Sequence, residues 1–230
     1  MLHVYYILKN ITMTRKLIFA SILALCALSM HAQQTEPAVT YGARLSMDVT
    51  IPGGGRSVYD TGAGFSLGGI ARISLPKGFY LEPGLFFYYT GMSSKDLVTF
   101  DNEYYYEDAA KYYGLRIPLL TGYKFSISPQ LDMSVATGPY LNVNLYARQQ
   151  LSPNLEAPDP LPDKKINLFN HGWKHVDAGW AIRLSMTFAH DYYVGITTGI
   201  AFTPLARYGD KDKKIRIHRN TIAISLGYNF

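Results

Sequence analysis

The last ten residues alternate without a break. Ile222, Ile224, Leu226, Tyr228 and Phe230 fall on one face, and Thr221, Ala223, Ser225, Gly227 and Asn229 on the other. A period of two is the signature of a β-strand, because successive side chains point to opposite sides of a pleated backbone. Residues 176–189 repeat it: Val176, Ala178, Trp180, Ile182, Leu184, Met186 and Phe188 oppose Asp177, Gly179, Ala181, Arg183, Ser185 and Thr187. The same reading predicts eight strands, at 41–49, 65–75, 79–89, 113–125, 131–146, 176–189, 192–203 and 221–230. Their lengths are near the ~9–11 residues that a tilted strand needs to cross a bilayer. Pro83, Pro118 and Pro139 fall inside strands, where each removes a ladder donor, so local bulges are expected there.

The connections alternate in length. Residues 76–78, 126–130 and 190–191 are short turns, whereas 50–63, 92–110, 148–174 and 207–217 are long. Transmembrane barrels have short periplasmic turns and long outside loops, and an even strand number puts both termini in the periplasm. The faces point the same way. Large apolar side chains fill one face of each strand, and Gly, Ser, Thr and Ala the other. A soluble barrel would bury the large apolar face; a lipid-solvated barrel turns it outward. The pattern therefore predicts an all-β, eight-stranded, antiparallel up-and-down transmembrane barrel. Lipid supplies no hydrogen bonds, so the first and last strands must meet.

Aromatic residues gather at the strand ends. Phe79, Tyr123, Phe188, Tyr192, Tyr228 and Phe230 are expected to form a periplasmic girdle. Phe65, Phe87, Tyr89, Tyr113, Trp180 and Phe202 are expected to form an outer one. On the inward face the register places Arg44, Arg72, Arg116, Lys124 and Arg183 with Asp48, Glu82, Asp132 and Asp177. Five positive against four negative groups is close to balance. An eight-stranded barrel is only wide enough for its own side chains, and unpaired buried charge is costly. Interlocked ion pairs that block a water path are expected, as a polar core in place of an apolar one.

The N-terminus carries a different pattern. Thr14-Arg15-Lys16 precedes an apolar run from Leu17 to Leu28, and Met30-His31-Ala32 resembles a cleavage site. That is the plan of a secretory signal peptide over 1–32, with the barrel domain at 33–230. Met13 is the expected start, and residues 1–12 read as an over-extended frame. A rival is lipoprotein processing at Cys26, although Leu23-Ala24-Leu25 lacks the usual small residue before the cysteine. Cys26 is the only cysteine, so the mature chain has no disulfide framework.

Composition adds two points. With 19 Tyr and 20 Gly, the chain suits short alternating strands better than helices. Three of the 22 basic residues, Lys9, Arg15 and Lys16, lie in the removable segment, which holds no acid. That leaves 19 against 17 acidic residues, a net of +2 and no nucleic-acid signature.

Several segments resemble the PorT-like outer-membrane β-barrel family, also described as an outer membrane protein beta-barrel domain. They are Gly78-Phe79-Tyr80-Leu81-Glu82-Pro83-Gly84-Leu85, Leu115-Arg116-Ile117-Pro118-Leu119-Leu120, Tyr123-Lys124-Phe125, Thr137-Gly138-Pro139-Tyr140 and Leu226-Gly227-Tyr228-Asn229-Phe230. The resemblance spans about 33–230. It implies an outer-membrane barrel of Gram-negative bacteria and, in some relatives, a role in protein secretion. It also implies a C-terminal strand read by the barrel-assembly machinery through Phe230. It implies no catalytic residue.

Other clusters carry weaker signals. His171, His175 and Asp177 would share one face at a strand start, but a metal site needs three or four convergent ligands, and exposed histidines near a loop are usually only polar. Asp96, Asp101, Glu103, Glu107 and Asp108 lack the ordered spacing of a calcium loop. In the same loop, Tyr104-Tyr105-Tyr106 reads as a recognition patch or as sheet continued above the membrane. Arg207, Lys211, Lys213, Lys214, Arg216 and Arg219 form a basic loop that could contact lipopolysaccharide phosphates or simply be solvated. Residues 148–174, with Pro153, Pro158, Pro160 and Pro162, read as extended or mobile. Gly53-Gly54-Gly55 lacks the Lys and helix of a phosphate loop. No metal, cofactor or catalytic constellation is expected. Three functions are ranked: a structural, assembly or secretion-associated barrel working through its loops; a small porin-like channel; and, last, a barrel enzyme, which would need a nucleophile and base near the rim.

Overall fold

The structure is a computed structural model that describes residues 38–54, 59–92, 97–100, 103–153, 164–208 and 215–230. The expected signal peptide, the mature start at 33–37, Asp96, Asp101, Pro158, Pro160, Pro162, Lys211, Lys213 and Lys214 lie outside the described residues.

Eight long strands make the barrel: β1 (Val39–Gly53), β2 (Gly62–Ser74), β3 (Phe79–Met92), β5 (Glu103–Ser128), β6 (Leu131–Pro153), β8 (Val176–Phe188), β9 (Tyr192–Ala201) and β11 (Ile215–Asn229). Three short strands, β4 (Leu97–Phe100), β7 (Lys164–Asn167) and β10 (Ala206–Tyr208), pair with β5, β6 and β11. Every neighbouring pair is antiparallel, and β1 closes on β11 from Gly42↔Asn229 to Gly53↔His218. Among the described residues no helix is long and apolar enough to cross a membrane.

The faces follow the alternation. Met47 is 77% exposed and Ile224 58%, while their neighbours Ser46, Asp48, Ala223 and Ser225 are buried. Soluble monomers rarely expose contiguous apolar patches beyond a few hundred Å². Here the outward face of every barrel strand is apolar, which suits lipid and not water.

Two expectations about the backbone are corrected. The prolines do not shift the register. Ladder partners are missing beside Pro83 and Pro118, but the register resumes unchanged past them, and Pro139 pairs with Trp180 inside an unbroken run. The register shifts lie elsewhere, between Glu107/Ala110, Tyr113/Gly114 and Ser126/Ser128 on β5. At Gly84 a Cβ would come within 2.8 Å of the Phe86 ring and 3.2 Å of the Ile70 and Pro118 side chains, so the close packing there needs a glycine.

The strand bounds next to the long connections are also corrected. β5 and β6 run well beyond the predicted strand ends, and β4 and β7 fold back on them as hairpins. Tyr104, Tyr105 and Tyr106 therefore belong to a continued sheet. At the opposite end the connections are tight. Lys77 and Gly78 close the β2–β3 turn at φ 63° and 84°, and Ala189 and His190 close the β8–β9 turn at φ 48° and 73°.

Candidate functional site

The lumen has three levels. At the short-turn end, Glu82 on β3 accepts from Arg72 Nε at 2.9 Å and from Arg183 at 2.5 Å. Arg44 lies beside this triad, its guanidinium 3.9 Å from the centroid of the Tyr193 ring. It donates to the carbonyls of Ala43 and Tyr228 and to the Asn229 side chain. Among the described residues it has no carboxylate within 4.0 Å.

In the middle, Arg116 faces Asp48 at 3.7 Å, and Ser66 donates to the same carboxylate at 3.3 Å. A cavity of about 60 Å³ remains between Arg44, Asp48, Arg116, Tyr140 and Arg183. Toward the long-loop end, Asp177 accepts from Arg219 and from the amides of Asn142 and Asn144, the last two at 2.8 and 3.1 Å. Tyr80, Tyr88, Tyr112 and Tyr193 fill the space between these clusters. The small inward residues make room for such rings: a Cβ at Gly122 would meet the Tyr80 ring, and one at Gly179 the Tyr140 ring.

Above the polar levels, the long-loop mouth is sealed by apolar side chains. Tyr59, Leu168, Trp173, Leu205 and Ala206 leave the connections and pack on Tyr88, Met92, Tyr112, Ala147 and Ile217 of the strands. Trp173 meets Tyr59 and Tyr112 edge-on at 5.9 and 5.3 Å. A short 3₁₀ turn (Leu168–His171) delivers it. Asn167 caps that turn by accepting from Phe169 N at 3.1 Å, and Gly172 ends it at φ 88°. Backbone bonds from Lys174 N to Leu205 O (2.8 Å) and from Arg207 N to Gly172 O (3.0 Å) lace two connections together.

The expected interior charges distribute as follows. Arg44, Asp48, Arg72, Glu82, Arg116, Asp177 and Arg183 line the lumen. Lys124 and Asp132 have inward parity but sit at the short-turn rim, paired at 3.2 Å, because their strand positions lie beyond the filled part of the barrel. Arg219 is a correction. It was expected in a basic loop, but β11 starts at Ile215, so Arg219 is a lumen residue with 1% exposure. The lumen thus holds five arginines against three carboxylates among the described residues, and not a near-balance. At the rim, outside the spanning part of the strands, burial pushes the Asp132 carboxyl upward, but hydrogen bonds from Ser126 and Lys124 outweigh it. They hold Asp132 below its ordinary value.

The proposed girdle residues all lie on the outward parity. Phe79 packs edge-on to Tyr123 at 5.1 Å and Tyr192 to Tyr228 at 5.5 Å near the short turns. Phe188 and Phe230 are exposed beside them. Phe65–Tyr89 and Phe87–Tyr113 are ring pairs at 5.7 and 5.8 Å toward the other end, with Trp180 and Phe202 exposed across the barrel. Trp180 donates its indole N–H to Thr137 Oγ1 at 2.6 Å.

His171, His175 and Asp177 do not converge. β8 begins only at Val176, so alternation does not extend back to the histidines. His175 stacks on Phe169 at 3.9 Å, while Asp177 points into the lumen. Among the described residues no three His, Cys, Asp or Glu side chains are placed to hold a metal ion. The residues missed from sequence are Tyr59, Leu168, Trp173 and Leu205. Isolated apolar residues in polar connections were the available signal.

A model of the outer membrane protein beta-barrel domain matches residues 29–200. Among solved structures, the chain is similar to Neisserial surface protein A, at 11% identity and a TM-score of 0.43, covering 84% of this chain and 99% of that one. It is also similar to Ail, the attachment invasion locus protein of Yersinia pestis, at 12% identity and a TM-score of 0.38, covering 85% and 100%. Comparison with curated protein sequences finds no match.

Proposed function

The chain belongs to the outer membrane protein beta-barrel domain family, and from that premise we propose that it works as a closed barrel whose extended outer hairpins are its working surface. The role is structural, in assembly at the cell surface or in secretion across the outer membrane. One observation carries this reading: Tyr59, Leu168, Trp173 and Leu205 seal the outer mouth over a lumen filled with ion pairs and tyrosines. A filled, laced mouth is costly to open, whereas the β4–β5 and β6–β7 pairings carry strand backbone beyond the barrel. Sheet edges of that kind suit recognition by strand addition.

A small channel is the second reading. It draws on the vestibule of about 280 Å³ at the periplasmic mouth, lined by Arg72, Tyr80, Lys124, Asp132 and His190. Planar-bilayer recording separates the two. The closed barrel gives no unitary steps, and a Trp173→Ala/Leu205→Ala variant gives none either, because the ion pairs and tyrosines below the seal still fill the lumen. Steady unitary steps from the native chain would replace the first reading with the second. Deleting the gene should then change secreted or surface protein composition. Unchanged composition and envelope integrity would remove the assembly role.

A further inference from the structure

The outward surface above the outer aromatic girdle has a feature that the closed-barrel reading does not use. β5 and β6 place Lys111 directly opposite Arg148, and β7 sets Lys165 opposite Gln150, two residues further out on β6. All three cations are exposed. Among the residues whose side chains are described, a set that leaves out Glu103, Glu107 and Asp108, none has a carboxylate within 4.0 Å. Beneath them Tyr89, Tyr113 and Tyr146 lie side by side across three strands. Tyr113 and Tyr146 stack at 4.7 Å and 10°, and the Arg148 guanidinium is 5.0 Å from the Tyr146 ring centroid. Cations and tyrosines together line a groove of about 250 Å³.

A backbone irregularity builds this arrangement. On β6 the inward residues Asn142 and Asn144 would put 146 and 148 inward too. The register shift opposite Tyr113/Gly114 inserts Leu145 as an extra residue, after which Ala147 and Gln149 face inward and Tyr146 and Arg148 face out. The bulge therefore turns one aromatic and one guanidinium onto the lipid side. Like charges directly opposite on a sheet oppose folding unless a counter-ion sits between them. The height also matters. At roughly 3.3 Å per residue, the cation row stands about one headgroup above the tyrosine row that marks the membrane interface.

We infer that Lys111, Arg148 and Lys165 form a binding site for the phosphate of a phosphorylated glycolipid in the outer leaflet. The phosphate bridges the Lys111–Arg148 pair, for which a guanidinium supplies a fork of donors. The acyl chains descend over Tyr113 and Tyr146 onto the apolar face below. The inference rests on the outer-membrane placement of the barrel.

The test uses the purified full chain in detergent, with phosphorylated lipid A and its dephosphorylated form as probes. Bound lipid is measured by mass spectrometry and titration. A Lys111→Gln/Arg148→Gln/Lys165→Gln variant should bind phosphorylated lipid A at least tenfold more weakly than the native chain. An Arg207→Gln/Arg216→Gln variant, which removes the other exposed cross-strand cation pair, should bind as the native chain does. All three should keep the gel shift on boiling that marks a closed barrel. If the triple variant loses that shift, Arg148→Gln alone should show a smaller loss of the same kind. Equal binding of the two lipids, native-like binding by the triple variant, or loss only in the Arg207/Arg216 variant would overturn the site. Full competition by equimolar inorganic phosphate would overturn its lipid assignment. Failure of the native chain itself to show the shift would instead remove the outer-membrane barrel reading.

Discussion

Arg183 on β8 reaches across the lumen to Glu82 on β3, with 2.5 Å between Nη2 and Oε1 and both side chains buried. Arg72 binds the second carboxylate oxygen at 2.8 Å, so one carboxylate holds three strands together through two guanidinium groups. Arg44 adds a further positive charge nearby, and Glu82 is the only carboxylate paired within that level among the described residues.

Glu82→Ala should therefore be severe. It leaves Arg72 and Arg183 buried without their partner, a loss on the order of 3–5 kcal/mol for breaking a buried pair. Urea unfolding of the refolded barrel in vesicles measures it. A midpoint within error of the native chain would mean that the triad is not coupled to stability.

The rim pair predicts a pH dependence. Asp132 titrates below its ordinary value because Ser126 and Lys124 stabilise its charged form. Its stabilisation is complete above the unfolded carboxyl pKa and is lost as pH falls through the lowered folded value. The stability difference between the native chain and Asp132→Asn should thus be present at pH 7 and shrink in strongly acidic buffer. A difference that grows on acidification has the wrong sign for this arrangement.

The outward face predicts a depth-dependent penalty. Ile224 lies midway along β11 and is 58% exposed. Ile224→Arg should cost about 2–4 kcal/mol in vesicles, as charged residues do near the midplane of a barrel's lipid face. Equilibrium unfolding in vesicles checks this. A neutral outcome would place that face in water.

The β8–β9 turn predicts a gain. Ala189 and His190 both sit at positive φ, a region that costs side chains other than Gly, Asn and Asp roughly 1 kcal/mol each. Ala189→Asn/His190→Gly should raise the unfolding midpoint by an amount equivalent to about 1 kcal/mol. A lowered midpoint would mean that the native residues make contacts worth more than the strain.

How much of this was legible in the chain depends on the range of each interaction. Alternation is a local property, because each side chain's direction follows from the pleat of its own strand. Ile222 to Phe230 on one face and Thr221 to Asn229 on the other therefore determined the outward and inward surfaces, and the short and long connections determined which strands are neighbours. Most of the inward charges followed from the same parity. The partnerships did not. Whether Glu82 meets Arg183 or Arg44 depends on the stagger between strands that are about 100 residues apart in the chain, as β3 and β8 are. Arg219 entered the lumen only because pairing with β1 and β10 carries β11 back to Ile215. Tyr146 and Arg148 face lipid only because an extra residue at Leu145 resets the parity. The apolar seal came from connections whose isolated Tyr59, Leu168, Trp173 and Leu205 show no period at all. Such residues find one another through packing in a closed mouth, and that mouth exists only once the first strand has met the last.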